Sequence, residues 1–132
     1  MRGLDTNVLV RYLVADDVRQ TALAVRLVEH SRRTGDHLYI SALVLCEAAW
    51  VLTRTYGQAK AEIIRALELI LRTKQFQLES DLLIRRSLDA FRNGRGDFAD
   101  YVIGEICPEA GCEDCVTFDR RLKDAAGFTL LH

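Results

Sequence analysis

Five carboxylates fall where the chain around them changes character. Asp5 ends a short apolar opening and is followed by Thr6 and Asn7. Glu47 is the only charged residue between Asp36 and Arg54, with His37 neutral, inside the apolar run Leu38 to Thr53. Asp97 and Asp100 follow Asn93-Gly94-Arg95-Gly96, and Asp119 closes Cys115-Val116-Thr117-Phe118. An ionised carboxylate is costly to bury unless a cation or a set of donors meets it. No Arg or Lys lies in the Glu47 segment, so the expected partner is a divalent cation shared with Asp5, Asp100 and Asp119. Mg2+ and Mn2+ are hard cations that prefer carboxylate oxygen and water. Beside a phosphodiester, such an ion polarises the ester and activates a water.

Composition sets the frame for that chemistry. The 132 residues are 49% hydrophobic and 28% charged, which predicts one globular domain, residues 1–132, with a sizeable core. A net charge of −1 excludes a general nucleic-acid binder working through a global basic field. Any contact with phosphates must come from a local basic patch, from bound metal, or from both. No apolar run approaches the roughly 18 residues of a membrane span, so no membrane association is expected. Met1-Arg2-Gly3-Leu4-Asp5 reaches a carboxylate too early for a signal peptide. The expected location is cytoplasmic, with the four cysteines as reduced thiols.

The elements that must position the acids alternate. Met1 to Leu4 is predicted as a strand running into Asp5. Asp16-Asp17 should cap a helix with an apolar stripe of Val18, Ala22, Val25 and Val28. Leu38-Tyr39-Ile40 should form a buried strand, with Ser41 capping the helix that carries Glu47 and Gly57 ending it. Ile63, Leu67, Ile70 and Leu71 have helical spacing, and Phe76 to Leu78 is a short strand. Ile84, Leu88 and Phe91 predict another helix, stopped by the glycine-rich stretch. Asp97 then caps a helix with Val102, Ile103 and Ile106. Cys115 to Phe118 is a strand, Arg120 to Ala126 a short helix, and Phe128 to Leu131 a last strand. This alternation predicts an α/β fold with a mainly parallel central sheet. Ligands of such sheets bind at the carboxyl ends of strands, where Asp5 and Asp119 fall.

Four segments carry a resemblance. Leu4-Asp5-Thr6-Asn7-Val8-Leu9 resembles the opening motif of PIN-domain nucleases, and Ser41 to Glu47 resembles their second. Asp97-Phe98-Ala99-Asp100-Tyr101-Val102-Ile103 resembles the third, and Thr117-Phe118-Asp119 the fourth. Their order, spacing and total length are similar to the VapC type, the toxin half of toxin–antitoxin pairs. The resemblance implies a three-layer α/β/α domain and a Mg2+- or Mn2+-dependent endoribonuclease leaving 5′-phosphate and 3′-hydroxyl ends. It implies Asp5, Glu47 and Asp100 as core metal ligands and catalytic residues, with Asp119 completing the site directly or through water. Thr6, Asn7 and Thr117 would orient the acids, and Asp97 would be an auxiliary ligand. It also implies an RNA substrate, a homodimer, and a cognate antitoxin that sets a basic side chain among the acids.

Each acid has a structural reading beside the functional one. Asp97 and Asp119 suit N-caps, Asp5 suits turn chemistry, and Asp100 suits a first-turn acid. Glu47 would then pair with a distant arginine. Cys107, Cys112 and Cys115 have the makings of a zinc site, but no fourth ligand stands out, and partly buried thiols are expected. Arg92, Arg95, Arg120, Arg121 and Lys123 flank the acids and suit phosphate contacts. Arg11 and Arg54 are read the same way, and an exposed arginine is more often simply solvated. Tyr12, Trp50 and Tyr56 suit base stacking, although Trp50 is expected in the core. His30, His37 and His132 show no ligand spacing. Two rival functions share the pattern: a nuclease in RNA processing or DNA metabolism, and a non-catalytic module docking a basic partner. A haloacid-type phosphatase is disfavoured, because Asp5-Thr6-Asn7 lacks a second Asp two residues after the first.

Overall fold

The computed structural model describes every residue from Met1 to His132. The chain divides into two compact units, Met1–Asp81 and Leu82–His132. Mixed helices and parallel strands make it an α/β protein, and every strand pairing is parallel.

In the first unit, β1 (Arg2–Gly3) pairs with β2 (Leu38–Ile40), which pairs with β3 (Phe76–Leu78). Leu38 and Ile40 are buried while Tyr39 between them is half-buried, the two-residue period of a strand. The helices are α1 (Thr6–Leu13), α2 (Val18–Thr34), α3 (Ala42–Arg54) and α4 (Lys60–Arg72). Their starts are chemically marked. Asp17 accepts from the Gln20 N–H at 2.8 Å, and Ser41 from the Val44 N–H at 3.2 Å, each satisfying a donor the helix leaves free. Gly35 ends α2 at φ 75°, a left-handed conformation in which glycine carries no steric penalty. On α3, Leu45, Ala48, Ala49 and Leu52 are buried; on α4, Ile63, Leu67 and Ile70.

Two expectations fail here. The buried face of α2 is Ala24, Val28 and Ser31, whereas Ala22 is exposed, Val18 is 91% exposed and Val25 41%. The expected stripe follows helical spacing, but Ala24, four residues before Val28, is one position out of phase with it. Trp50 is also not core. It is 46% exposed, with the Arg54 guanidinium 5.2 Å from its ring centroid, a cation–π contact. The contact lies on the outer side of α3, opposite the buried residues.

The second unit holds α5 (from its start at Asp81 to Asn93), α6 (Phe98–Glu109), β4 (Cys115–Thr117) and β5 (Phe128–Leu130), the last two paired. Phe91 meets Phe98 edge-on, 6.0 Å between centroids at 72°, a favoured aromatic geometry. Phe98, Tyr101 and Val102 form the buried face of α6. Ile103 and Ile106, expected on that face, are 50% and 44% exposed. The helix expected over Arg120–Ala126 shrinks to a 3-10 turn at Arg120–Leu122, with Leu122 buried.

Candidate active site

In the first unit, Asp5 follows β1 and is the N-cap of α1. Its Oδ1 accepts from the Thr6 N–H at 2.8 Å. The Thr6 hydroxyl donates to Glu47 Oε1 at 3.0 Å, so one buried threonine holds two acids 42 positions apart in the chain. Glu47 itself is exposed, which overturns the premise of a buried, uncompensated charge. The run around it is apolar, but α3 turns Glu47 outward with Leu43, Trp50 and Arg54 while the core positions face in. Water and Thr6 therefore meet this carboxylate, and burial alone requires no cation there. Asn7 makes no side-chain hydrogen bond and lines a groove of about 270 Å3 between α1 and α2.

Sequence reasoning passed over Glu79, which follows β3. Its carboxylate accepts from the Ala42 N–H at 2.9 Å, at the start of α3. An acid placed directly after an apolar strand was the available signal. It passed over the Arg11–Tyr56–Asp16 triangle as well. Arg11 donates to Tyr56 Oη at 2.7 Å, Tyr56 donates to Asp16 Oδ2 at 2.8 Å, and Arg11 reaches Asp16 Oδ1 at 3.0 Å. Tyr56 and Arg11 hold the Asp16 carboxyl below its usual range.

In the second unit, three acids meet one cation. Arg121 Nη1 lies 3.2 Å from Asp97 Oδ1, and its Nη2 lies 2.7 Å from Asp119 Oδ2 and 3.6 Å from Asp100 Oδ2. Arg121 Nε donates to both Asp119 oxygens at 3.1 Å. The arginine expected to be solvated is thus the partner of the acids. Asp97 occupies the N-cap position of α6, yet Asp100 makes the capping bond: its Oδ2 accepts from the Asp97 N–H at 2.8 Å. Asp119 does cap its 3-10 turn, accepting from the Arg121 N–H at 2.9 Å, and the Thr117 hydroxyl accepts from the Asp119 N–H at 3.0 Å.

The environments separate these acids electrostatically. Hydrogen bonds from the Arg121 side chain, then from its backbone N–H, hold the Asp119 carboxyl below its usual range. Burial pushes the Asp100 carboxyl up, with the charges of Asp97 and Asp119 adding to it and the Asp97 N–H and Arg121 opposing it. The Arg121 guanidinium is held still more firmly in its charged form by Asp119 and Asp97.

Two glycines set the entry to α6. The Gly96 N–H donates to Tyr101 Oη at 2.8 Å. A Cβ at Gly94 would stand 1.9 Å from that hydroxyl, and one at Gly96 would stand 3.0 Å from Asp100 Oδ2 and 2.6 Å from Leu122. The glycines are needed for close approach, which places Tyr101 under the loop and Asp97 at the helix start. Of the cysteines, all four are free, and Cys107 interacts with the thiols of Cys115 and Cys112. The hydrogen bond to Cys115, then burial, raises the pKa of the Cys107 thiol.

The donor set fits a hard divalent cation. Every donor is a carboxylate, and the guanidinium of Arg121 stands among Asp97, Asp100 and Asp119 as a stand-in positive charge. No group of three or more His, Cys, Asp or Glu side chains in either unit is drawn close enough to hold a metal by itself. In the second unit Asp97, Asp100 and Asp119 surround the arginine instead.

No curated protein matches the chain. Among solved structures, the crystal structure of the Mycobacterium tuberculosis toxin VapC20, described as sarcin-ricin loop cleaving, is similar at a TM-score of 0.47. It is 18% identical and the match covers 96% of each chain. The PIN domain family matches residues 4–128, a span that holds Asp5, Glu47, Asp97, Asp100 and Asp119. The chain belongs to the PIN-domain family.

Proposed function

We propose that this protein is a divalent-metal-dependent endoribonuclease, a single PIN-like functional domain over residues 1–132, acting as the toxin of a VapBC-type pair. The observation that carries the reading is the family match over residues 4–128 together with an acid at each of its four motif positions. Asp5, Glu47, Asp100 and Asp119 would hold Mg2+ or Mn2+, and the ion would supply Lewis-acid chemistry for hydrolysis of an RNA phosphodiester. Thr6 orients Asp5 and Glu47 through the two hydrogen bonds it makes. Thr117 sets the backbone of Asp119. Asp97, whose carboxylate pairs with Arg121 at 3.2 Å, would be an auxiliary ligand.

The toxin assignment rests on the order and spacing of the motifs. Exposed apolar residues of α2, namely Val18, Leu23 and Val25, supply surface for a homodimer or a cognate antitoxin. No helix is long and apolar enough to cross a membrane. Asp5→Asn is expected to abolish metal-dependent RNA cleavage while circular dichroism stays that of the wild type. Cleavage at the wild-type rate by the purified variant sinks the assignment. The same preparation on ribo- and deoxyribo-oligonucleotides separates a toxin ribonuclease from a nuclease of DNA metabolism.

One observation favours a second reading. Arg121 sits among the acids of the second unit as a docked basic group would, which suits a module that binds basic partners without catalysis. Titration calorimetry decides between them: heat of Mn2+ binding favours the nuclease, and its absence at high metal concentration favours the module.

A further inference from the structure

Arg121 belongs to two places. It neutralises Asp97, Asp100 and Asp119, and it also lines a groove of about 610 Å3 within the second unit. Arg95, Arg120 and Lys123 line the same groove, against the two acids Glu105 and Asp124. Those three cations are exposed and make no salt bridge. Leaving out Arg121, whose charge is taken up by three carboxylates, three cations stand against two acids, a small local positive excess on a chain whose net charge is −1. A groove of that sign and openness suits a polyanion, and a planar guanidinium matches a phosphate in two-point geometry as well as it matches a carboxylate.

We propose that Arg121 is an exchange cation: it occupies the acids while they lack a metal, and turns into the groove to hold an RNA phosphate once a divalent cation claims them. The inference rests on the ribonuclease reading above. Its consequence is linkage, since metal and RNA each favour the same position of one side chain. Each therefore strengthens binding of the other. An exposed, long side chain that already touches both places needs only rotamer changes to switch.

The test is Arg121→Gln, with Arg121→Lys beside it, in the full chain. Calorimetry with Mn2+ alone should show Arg121→Gln binding metal about tenfold more tightly, because the competing cation is gone. Anisotropy of a labelled single-stranded RNA in Ca2+, with a gel showing the RNA intact, should show about tenfold weaker binding and a salt slope reduced by about one. Arg121→Lys should restore the salt slope. Opposite signs for metal and RNA distinguish exchange from a structural clamp, for which both affinities fall together. Metal affinity that is unchanged or weaker in Arg121→Gln overturns the proposal, as does unchanged RNA affinity. Displacement of the RNA by poly-glutamate at equal charge concentration overturns the assignment of the groove to a phosphodiester chain. If the wild-type protein binds neither Mn2+ nor RNA, the ribonuclease reading itself falls; if it binds both and only the variants behave as wild type, the exchange alone falls.

Discussion

The acids of the first unit and those of the second are held by different physics. Asp5 and Glu47 are exposed and meet neutral donors of a single residue, the backbone and hydroxyl of Thr6. Asp97, Asp100 and Asp119 are gathered around a guanidinium, with Asp100 partly buried and its carboxyl pushed up. A neutral donor orients a carboxylate without competing for its charge. A cation orients it and competes at the same time. The first pair is thus open to a metal as it stands, whereas the second set must release Arg121 first.

The largest test strikes the frame of the second set. Gly94→Ala drives a methyl group into the Tyr101 hydroxyl, and overpacking of this kind costs about 1–3 kcal/mol. Chemical denaturation should show that loss, and the Asp97 and Asp100 amide resonances should shift with it. An unchanged denaturation midpoint would mean that the loop yields without moving the acids.

A smaller effect probes the first pair. Thr6→Val keeps the shape and the Asp5 contact of the backbone N–H but removes the hydroxyl that reaches Glu47. Loss of one net hydrogen bond corresponds to about 0.5–1.5 kcal/mol, near the lower end here because Glu47 is exposed to water. Stability measured by urea unfolding should fall by no more than that, with cleavage reduced through Glu47 orientation. A loss as large as that of Gly94→Ala would show that the first pair is as tightly framed as the second.

The smallest effect is one of sign, read from pH. The carboxyl of Asp119 is depressed in the folded state, so its stabilising contribution is present above the usual carboxylate range and is lost as pH falls through its lowered folded value. Asp100 runs the other way. Its folded value is raised, so ionising it at neutral pH costs the folded state, and that cost disappears as pH falls through the raised value. Asp119→Asn should therefore lower the denaturation midpoint at pH 7, and Asp100→Asn should raise it slightly, keeping an oxygen for the Asp97 N–H. Shifts of the same sign in both variants would show that Arg121 does not separate the two.

Residue pattern alone made most elements legible. Leu38-Tyr39-Ile40 alternates as a strand must, Asp17 and Ser41 cap the helices they precede, and Ile84, Leu88 and Phe91 keep helical spacing on α5. These features are local, and local sterics and backbone satisfaction decide them. The errors share a cause. Glu47 and Trp50 sit in an apolar run whose composition argued for burial, but which side of α3 faces the core depends on what packs against it. The stripe of α2 failed by the same phase ambiguity, and the short turn at Arg120 by the lack of a long enough apolar face.

The sequence by itself determined which residue types could do chemistry: five acids in family order, four of them beside a strand end or helix start and Glu47 within a helix, with hydroxyls near two of them. Only the tertiary structure decided what meets each acid. Thr6 and Glu47, or Asp97 and Arg121, are brought together by packing across tens of residues, and no spacing rule reaches that far. A carboxylate's charge is written in the sequence, but its partner and its pKa belong to the space around it.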